Sequence, residues 1–213
     1  MADAAVMPIR EVVCAAPVVP VIVLEDAAHA VPLARALLAG GLTVLEVTLR
    51  SDAALPGIRA IAREVPQAKV GAGTVLSVDD LAAAREAGAQ FAVSPGSTPA
   101  LLESARTCGL PFLPGVMTPS EVAAALAAGY DTMKFFPAGQ AGGVEMLKAL
   151  AGPFPQVKFC PTGGISLANA SDFLALPNVV CVGGSWITPG ASIRASDWAA
   201  ITRLAQQASR LRS

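Results

Sequence analysis

Residues 18–49 read VVPVIVLEDAAHAVPLARALLAGGLTVLEVTL and contain a complete strand–helix–strand unit. An apolar, β-branched run at 18–24 is followed by an alanine- and leucine-rich segment that reaches Gly40 and Gly41, and a second apolar run occupies 43–49. Strands that are apolar on both faces and alternate with helices are typical of a parallel sheet covered by helices. This stretch therefore predicts an α/β fold.

The same alternation continues along the chain, with helical patterns such as those at 79–87 and 196–208. Further strands are predicted at 69–75, 91–95, 111–116, 132–137, 158–163 and 179–186. About eight strand–helix units close a (β/α)8 TIM barrel, and an open doubly wound sheet is the alternative. The open sheet is disfavoured because no strand leads into a G-x-G-x-x-G turn; Gly71 and Gly73 lie inside a predicted strand. We predict one domain over 1–213, a TIM barrel with an extra N-terminal helix over its floor.

The composition of the 213 residues excludes several classes of protein. With 54% hydrophobic and 15% charged residues, the chain is too apolar to be disordered, and a net charge of −1 excludes a broadly basic nucleic-acid or anionic-membrane binder. No stretch offers the ~18 uncharged apolar residues that a spanning helix needs, and no basic region leads into an apolar run at the N-terminus. We therefore predict a cytoplasmic protein with no signal peptide and neither a membrane nor a nucleic acid as partner.

The cysteines and the single histidine form no metal-binding pattern. Cys14, Cys108, Cys160 and Cys181 contain no C-x-x-C pair, and His29 is the one histidine. Buried, reduced thiols are the expected state of these cysteines. His29 lies in an alanine-rich helical stretch and is interpreted as a surface or packing residue. Neither a metal nor a cofactor is predicted.

Lys134 is the first candidate for chemistry because it lies in the apolar run MKFFP at 133–137. Active sites of such barrels lie at the carboxyl ends of the strands, so a polar residue late in an apolar strand is a candidate. Desolvating an ammonium group costs several kcal/mol and favours the neutral amine, which attacks a carbonyl to form a Schiff base. The alternative is a structural ion pair with Glu46, and the residues by themselves favour neither.

Glu46 and Arg50 lie in one predicted strand and are the next two candidates. A carboxylate inside an apolar strand is either paired or used for proton transfer. The alternation of side chains places Glu46, Thr48 and Arg50 on one face, directed into the barrel mouth. Arg50 suits a bidentate contact with a substrate carboxylate, and the alternative is an arginine at the rim that neutralises Glu46.

Two glycine-rich turns follow the last two predicted strands. Thr162, Gly163 and Gly164 follow the seventh strand, whereas Gly183, Gly184 and Ser185 close the eighth. Barrels often bind phosphate with these loops, because glycine lets backbone N–H groups approach an anion closely. An amine, an acid–base group, a carboxylate clamp and a phosphate cradle together match a 2-keto acid with a terminal phosphate.

Several motifs, taken together, resemble a known family. They are VVPVIV at 18–23, GGLTVLEVTLR at 40–50, VGAGTV at 70–75, KFFP at 134–137 and FCPTGGI at 159–165. In this order, and over the chain from residue 17 to residue 204, they are similar to the aldolases of 2-dehydro-3-deoxy-6-phosphogluconate (KDPG) and 4-hydroxy-2-oxoglutarate (KHG).

The resemblance implies a class I aldolase of the Entner–Doudoroff pathway on a (β/α)8 barrel, assembled as a homotrimer and needing no metal. It implies cleavage of KDPG to pyruvate and glyceraldehyde 3-phosphate, and of KHG to pyruvate and glyoxylate. By motif, Lys134 matches the Schiff-base lysine and Glu46 the general acid–base group. The matching substrate-binding positions are Arg50, Thr74, Pro95, Phe136 and Thr162, and the matching phosphate-binding positions are Gly163, Gly164, Gly184 and Ser185.

Three other functions stay open at this point. The segments 115–119 and 138–143 depart modestly from the family near the barrel mouth, which leaves the substrate range open. An aldolase for the galactonate epimer of KDPG would use the same amine. A phosphosugar isomerase or epimerase would need no buried lysine, so Lys134 argues against it. A regulatory barrel that only binds a phosphorylated ligand would keep its affinity in a Lys134→Arg variant.

Overall fold

The computed structural model describes residues 7–211 of the chain. Its strands are β1 Val18–Ile22, β2 Val44–Thr48, β3 Lys69–Gly73, β4 Ala92–Val93, β5 Phe112–Leu113, β6 Gly115–Val116, β7 Thr132–Phe135, β8 Lys158–Pro161 and β9 Val182–Gly184. Its α-helices are α1 Ile9–Val13, α2 Ala30–Ala39, α3 Ala54–Glu64, α4 Val78–Glu86, α5 Pro99–Thr107, α6 Pro119–Ala127, α7 Gly143–Ala151, α8 Ala170–Leu174, α9 Gly190–Arg194 and α10 Trp198–Ser209. A 3-10 helix, Ala27–His29, leads into α2.

The paired strands are parallel, which confirms the predicted α/β fold. Hydrogen-bonded neighbours follow the order β5-β4-β3-β2-β1-β9 in one sheet and β6-β7-β8 in a second. Isolated bridges, Phe159–Val179 and Thr162–Gly183, join the β8 region to the β9 region. The strands therefore form a curled parallel sheet, with helices in the connections between them.

The predicted strand at 111–116 is interrupted in the structure. Pro114 separates β5 from β6, because a proline has no backbone N–H to donate to a neighbouring strand. The carbonyl of Pro114 still accepts the backbone N–H of Lys134, at 2.8 Å. The prediction was correct about the place of this strand and wrong about its continuity.

The core consists of two clusters of buried side chains. The larger cluster fills the space between the strands and the helices, with Leu33, Leu45 and Phe135 among its fully buried members. The smaller cluster, called here the inner cluster, lies on the opposite face of the strands and includes Val12 and Val13 of α1. Its remaining members come from six parts of the curled sheet: Val19, Val44, Phe91, Val93, Leu113, Cys160, Val180 and Cys181.

A capping box fixes the loop between β6 and α6 at the carboxyl end of the strands. The side chain of Thr118 accepts the backbone N–H of Glu121, and Glu121 Oε2 accepts the N–H groups of Met117 and Thr118 at 2.7 and 2.8 Å. Partial burial raises the pKa of the Glu121 carboxyl, but these hydrogen bonds outweigh it and leave the pKa below its ordinary value. The charged form of Glu121 therefore holds this loop in place.

Residues 7–211 contain no helix that is long and apolar enough to cross a membrane. Within the same residues, none of the four cysteines is joined in a disulfide. The ring of His29 packs edge-on against Trp198, with 5.8 Å between the ring centroids.

Candidate active site

A buried ion pair lies at the centre of the candidate site. The Nζ atom of Lys134 lies 3.0 Å from Oε1 of Glu46, and the two side chains are only 6% and 4% exposed. Strand β7 holds Lys134 between Gly115 of β6 and Cys160 of β8, and β2 brings Glu46 across from the opposite sheet. The ion pair considered as the alternative to a reactive amine is thus present, and its geometry also permits direct proton transfer between the two groups.

The ammonium side of this pair faces a cavity of about 170 Å³, called here the lysine cavity. The Nζ atom of Lys134 also lies 5.4 Å from the ring centroid of Phe136, within the range of a cation–π contact. The lining contains Lys134 and five other residues that the sequence predicted as substrate-binding: Arg50, Thr74, Pro95, Phe136 and Thr162. These residues, from five parts of the curled sheet, the regions of β2, β3, β4, β7 and β8, thus meet at one cavity.

A second cavity, also of about 170 Å³, opens beside the first and is called here the glycine cavity. Gly163, Gly164 and Ser185, three of the predicted phosphate-binding residues, line it. Gly163 and Gly164 have φ values of +93° and +73°, a left-handed conformation that glycine adopts without steric cost. The two cavities share four lining residues, so they form one continuous cleft: Val21, Arg50, Phe136 and Thr162.

Thr74 has an unusual backbone conformation at the wall of the lysine cavity. Its φ is +57°, which is rare for a β-branched side chain and costs roughly 1–3 kcal/mol. Strain of this kind persists where the surrounding structure fixes it, and it is frequent in binding sites.

The family model for KDPG and KHG aldolase matches residues 9–204, which is most of the chain. The chain belongs to the KDPG and KHG aldolase family. The resemblance found in its motifs is thereby confirmed.

Relatives within the KDPG and KHG aldolase family are similar over nearly their whole length. The KHG/KDPG aldolase of Escherichia coli strain K12 is 56% identical over 192 residues, covering 90% of each chain. A crystal structure of the KDPG aldolase from Legionella pneumophila, with pyruvate captured at low pH as a covalent carbinolamine intermediate, has a TM-score of 0.94 at 47% identity. That match covers 95% of this chain and 98% of the other. The KDPG aldolase of Zymomonas mobilis ZM4 with 3-phosphoglycerate gives 0.93 at 49% identity and covers 98% of both chains.

Arg50 is exposed and lies where the two cavities of this family member meet. Within residues 7–211 it forms no salt bridge, and Glu46 pairs with Lys134. The alternative in which Arg50 neutralises Glu46 is therefore not the arrangement in the structure. The guanidinium group is positioned to meet an anionic group of a ligand in the cleft.

The cleft also contains residues outside the set of predicted site residues. Val21, Thr48, Ile165 and Gly183 line it. Val21 and Ile165 are apolar residues in apolar runs, so no sequence signal distinguishes them from core residues. Thr48 was predicted to lie on the same face as Glu46 and Arg50, and its hydroxyl group donates a hydrogen bond to the carbonyl of Ile22, at 2.9 Å.

Of the predicted site residues, Glu46 and Gly184 line neither cavity: Glu46 contacts Lys134, whereas Gly184 belongs to β9. Gly184 pairs with Pro20 of β1, and a Cβ atom at its position would lie 2.1 Å from the ring of Trp186. The neighbouring residues Gly183 and Ser185 face the glycine cavity. A phosphate-binding role for Gly184 stays a prediction.

Proposed function

We propose that this chain is a class I aldolase that cleaves KDPG to pyruvate and glyceraldehyde 3-phosphate, and KHG to pyruvate and glyoxylate. The buried pair of Lys134 and Glu46, open to a cleft lined by Arg50, is the observation that carries the proposal. The family membership and the names of the relatives support the same reaction.

The first step needs a neutral amine. Lys134 gives a proton to Glu46 over the 3.0 Å that separate them, and its Nζ atom then attacks the C2 carbonyl of the substrate. Glu46 returns the proton to the resulting carbinolamine oxygen, which leaves as water. The product is a protonated imine, which serves as the electron sink for the next step.

The carbon–carbon bond breaks in the second step. Glu46, now a carboxylate again, takes the proton of the C4 hydroxyl group, and the electrons of the C3–C4 bond move into the imine. The aldehyde product leaves, and an enamine stays on Lys134. Protonation of that enamine at C3 and hydrolysis of the imine release pyruvate and restore the amine.

The two halves of the cleft suit the two ends of the substrate. Arg50 and Thr74 border the lysine cavity, where the carboxylate of the pyruvate half would lie beside C2. The glycine cavity, with Gly163, Gly164 and Ser185, would take the terminal phosphate, and Gly184 would support it from β9. Pro95, Phe136 and Thr162 would close the walls around the reacting carbons.

We further propose that residues 1–213 form a single (β/α)8 domain with an additional N-terminal helix, assembled as a homotrimer in the cytoplasm. The bridges between β8 and β9 and the position of α1 against the inner cluster support the closed barrel. Exposed apolar side chains at the carboxyl end of the strands, Leu76 at 60%, Val78 at 46% and Met117 at 41%, favour subunit contacts. Sedimentation equilibrium should give the mass of a trimer, and a monomer mass would contradict this part.

Borohydride reduction in the presence of pyruvate tests the reaction. The protein should gain the mass of a reduced pyruvate adduct, and peptide mapping should place that adduct on Lys134. A Lys134→Arg variant, which keeps the positive charge beside Glu46, is the matched control and should remain unlabelled. Folded wild-type protein that forms no adduct would exclude the aldolase mechanism and would leave an isomerase or a binding protein as the explanation.

Coupling pyruvate release to lactate dehydrogenase tests the substrate. KDPG should be turned over with a higher kcat/KM than its galactonate epimer, which differs only at C4. A higher kcat/KM for the galactonate epimer would be compatible with the imine mechanism but would make that epimer, and not KDPG, the preferred substrate. Inactivity of a Lys134→Arg variant that still binds phosphorylated ligands would exclude a purely regulatory barrel.

A further inference from the structure

The inner face of β3 provides space to its neighbours because it lacks side chains at two positions. Gly71 and Gly73 both face this interior, and residues from adjacent strands occupy the room. A Cβ atom built on Gly71 would lie 2.5 Å from the ring of Phe91. A Cβ atom built on Gly73 would lie 2.3 Å from Oε1 of Glu46, 2.6 Å from its Cγ and 2.8 Å from its Cδ.

The oxygen nearest to Gly73 is the same one that contacts Lys134. Oε1 of Glu46 accepts the hydrogen bond from Lys134 Nζ at 3.0 Å. Rotation of the carboxylate does not relieve the contact, since Cγ is also within 3.0 Å of the added atom. The Glu46 side chain is only 4% exposed, so it has no solvent to move into. A methyl group at position 73 must therefore displace the end of Glu46 relative to Lys134.

We propose that Gly73 is a positioning residue for the reaction: the absence of its side chain sets where the Glu46 carboxylate lies against Lys134. This inference rests on the proposed function, in which Glu46 moves the protons. The backbone of Gly73 lies outside the left-handed region, so the position requires glycine for space and not for conformation. Proton transfer to and from the imine and the enamine should therefore depend on residue 73.

Gly71 offers a matched control two residues earlier in the same strand. An alanine at either position adds one methyl group to the inner face of β3, and each methyl group would be similarly crowded. At Gly71 the crowded neighbour is Phe91, a buried core side chain that takes no part in the proposed chemistry. A comparison of the two variants separates general crowding of β3 from displacement of Glu46.

The experiment follows exchange of the pyruvate methyl protons for deuterium by NMR, together with KDPG turnover. Exchange requires the imine, the enamine and a proton acceptor, but no carbon–carbon cleavage. We expect Gly73→Ala to slow exchange and to lower kcat by about 10²-fold, with a smaller change in KM, because displacement of a reacting group by about 1 Å has an effect of that size. Gly71→Ala should retain exchange within about threefold when its folding is matched to wild type.

A Glu46→Ala background shows whether the effect passes through Glu46. In that background the added methyl group at position 73 meets no carboxylate, so Gly73→Ala should change the residual exchange rate by less than about twofold. The melting temperature provides a second readout that does not need activity. Gly73→Ala should lower it more in wild type than in the Glu46→Ala background, even where the single variant folds poorly.

If the folded Gly73→Ala variant exchanges pyruvate protons at the wild-type rate, the positioning role of Gly73 is overturned and the proposed function is unaffected. An equal loss in both backgrounds would also overturn that role, because residue 73 would then act elsewhere. Wild-type protein that neither exchanges pyruvate protons nor forms a borohydride adduct would overturn the proposed function as well.

Discussion

The two ends of the strands differ in what they bury. At the amino ends, cavities of about 250 and 380 Å³ share Met7, Leu110 and Pro111 in their walls. At the carboxyl ends, the lysine cavity and the glycine cavity are each only about 170 Å³, but the buried Lys134 lines the lysine cavity. The larger cavities lie far from the ion pair. Buried charge, and not cavity volume, therefore marks the end of the molecule that carries the chemistry.

The amino end is closed by apolar packing. Val12 and Val13 of α1 are 3% and 1% exposed and contact the inner cluster with Val19 and Val44. Burial of a valine side chain stabilises the fold by roughly 1.5–3 kcal/mol, whereas burial of two charges costs desolvation energy that only their pairing offsets. Apolar packing at the amino end thus stabilises the fold, whereas the buried ion pair at the carboxyl end serves the proposed reaction at a cost in desolvation energy. Three substitutions test this contrast.

Replacement of Lys134 by methionine should have the largest effect. The variant lacks the nucleophile, so we expect KDPG turnover to fall by at least ~10³-fold. It also leaves the Glu46 carboxylate buried without its ion-pair partner, which should lower the free energy of unfolding by about 3–5 kcal/mol. Coupled assays and urea unfolding measure the two quantities.

The double variant Lys134→Met/Glu46→Leu is the control for the stability part. Since it removes both charges, its free energy of unfolding should return to that of wild type or exceed it, while turnover stays absent. A double variant as unstable as the single one would show that the ion pair itself stabilises the fold.

Val13→Ala, at the amino end, should lower the stability of the fold and leave turnover almost unchanged. Loss of two buried methyl groups from α1 should lower the free energy of unfolding by about 1–3 kcal/mol. The kcat for KDPG should stay within about twofold of wild type, because this cluster does not reach the cleft. A large fall in kcat at unchanged stability would remove the distinction between the two ends.

Tyr130, in the wall of an amino-end cavity, should influence how stability declines at alkaline pH. Burial of its phenol, helped by the nearby Cys108, raises the pKa of Tyr130 to about 12, and its hydroxyl donates to the carbonyl of Leu102 at 2.9 Å. Because the folded state holds this proton more tightly than the unfolded chain, this contribution to stability is present below pH ~10 and is lost as the pH rises towards about 12.

A Tyr130→Phe variant should lack this loss. Urea unfolding across the same alkaline range should show a shallower decline for Tyr130→Phe than for wild type, with unchanged turnover at neutral pH. Parallel declines in the two proteins would indicate that another group governs the alkaline limit.

Much of the fold was readable from the pattern of apolar runs. Each of the eight predicted strand segments contains at least one strand, from β1 in 18–24 to β9 in 179–186. The ends were less predictable: the segment at 91–95 contains only Ala92–Val93 as strand. Strand ends depend on which backbone groups find partners across the sheet, and a one-dimensional pattern does not contain that information.

The candidate site was readable where its residues are polar. Lys134, Glu46 and Arg50 stood out because charged side chains are costly inside apolar strands. Val21 and Ile165 did not, since an apolar residue beside a cleft looks like any core residue. Gly73 appeared as part of a motif, but nothing in that motif indicates that the side chain of Glu46 occupies the space beside it.

The order of residue types along the chain determined the parallel α/β fold and the set of polar residues available for chemistry, because hydrophobic periodicity and burial costs act locally. Tertiary structure alone decided that Glu46 pairs with Lys134 and not with Arg50. That choice depends on strands 88 residues apart in sequence and on the space left by a glycine on β3. The spatial distance between Glu46 and Lys134 is set only when the curled sheet brings their strands together.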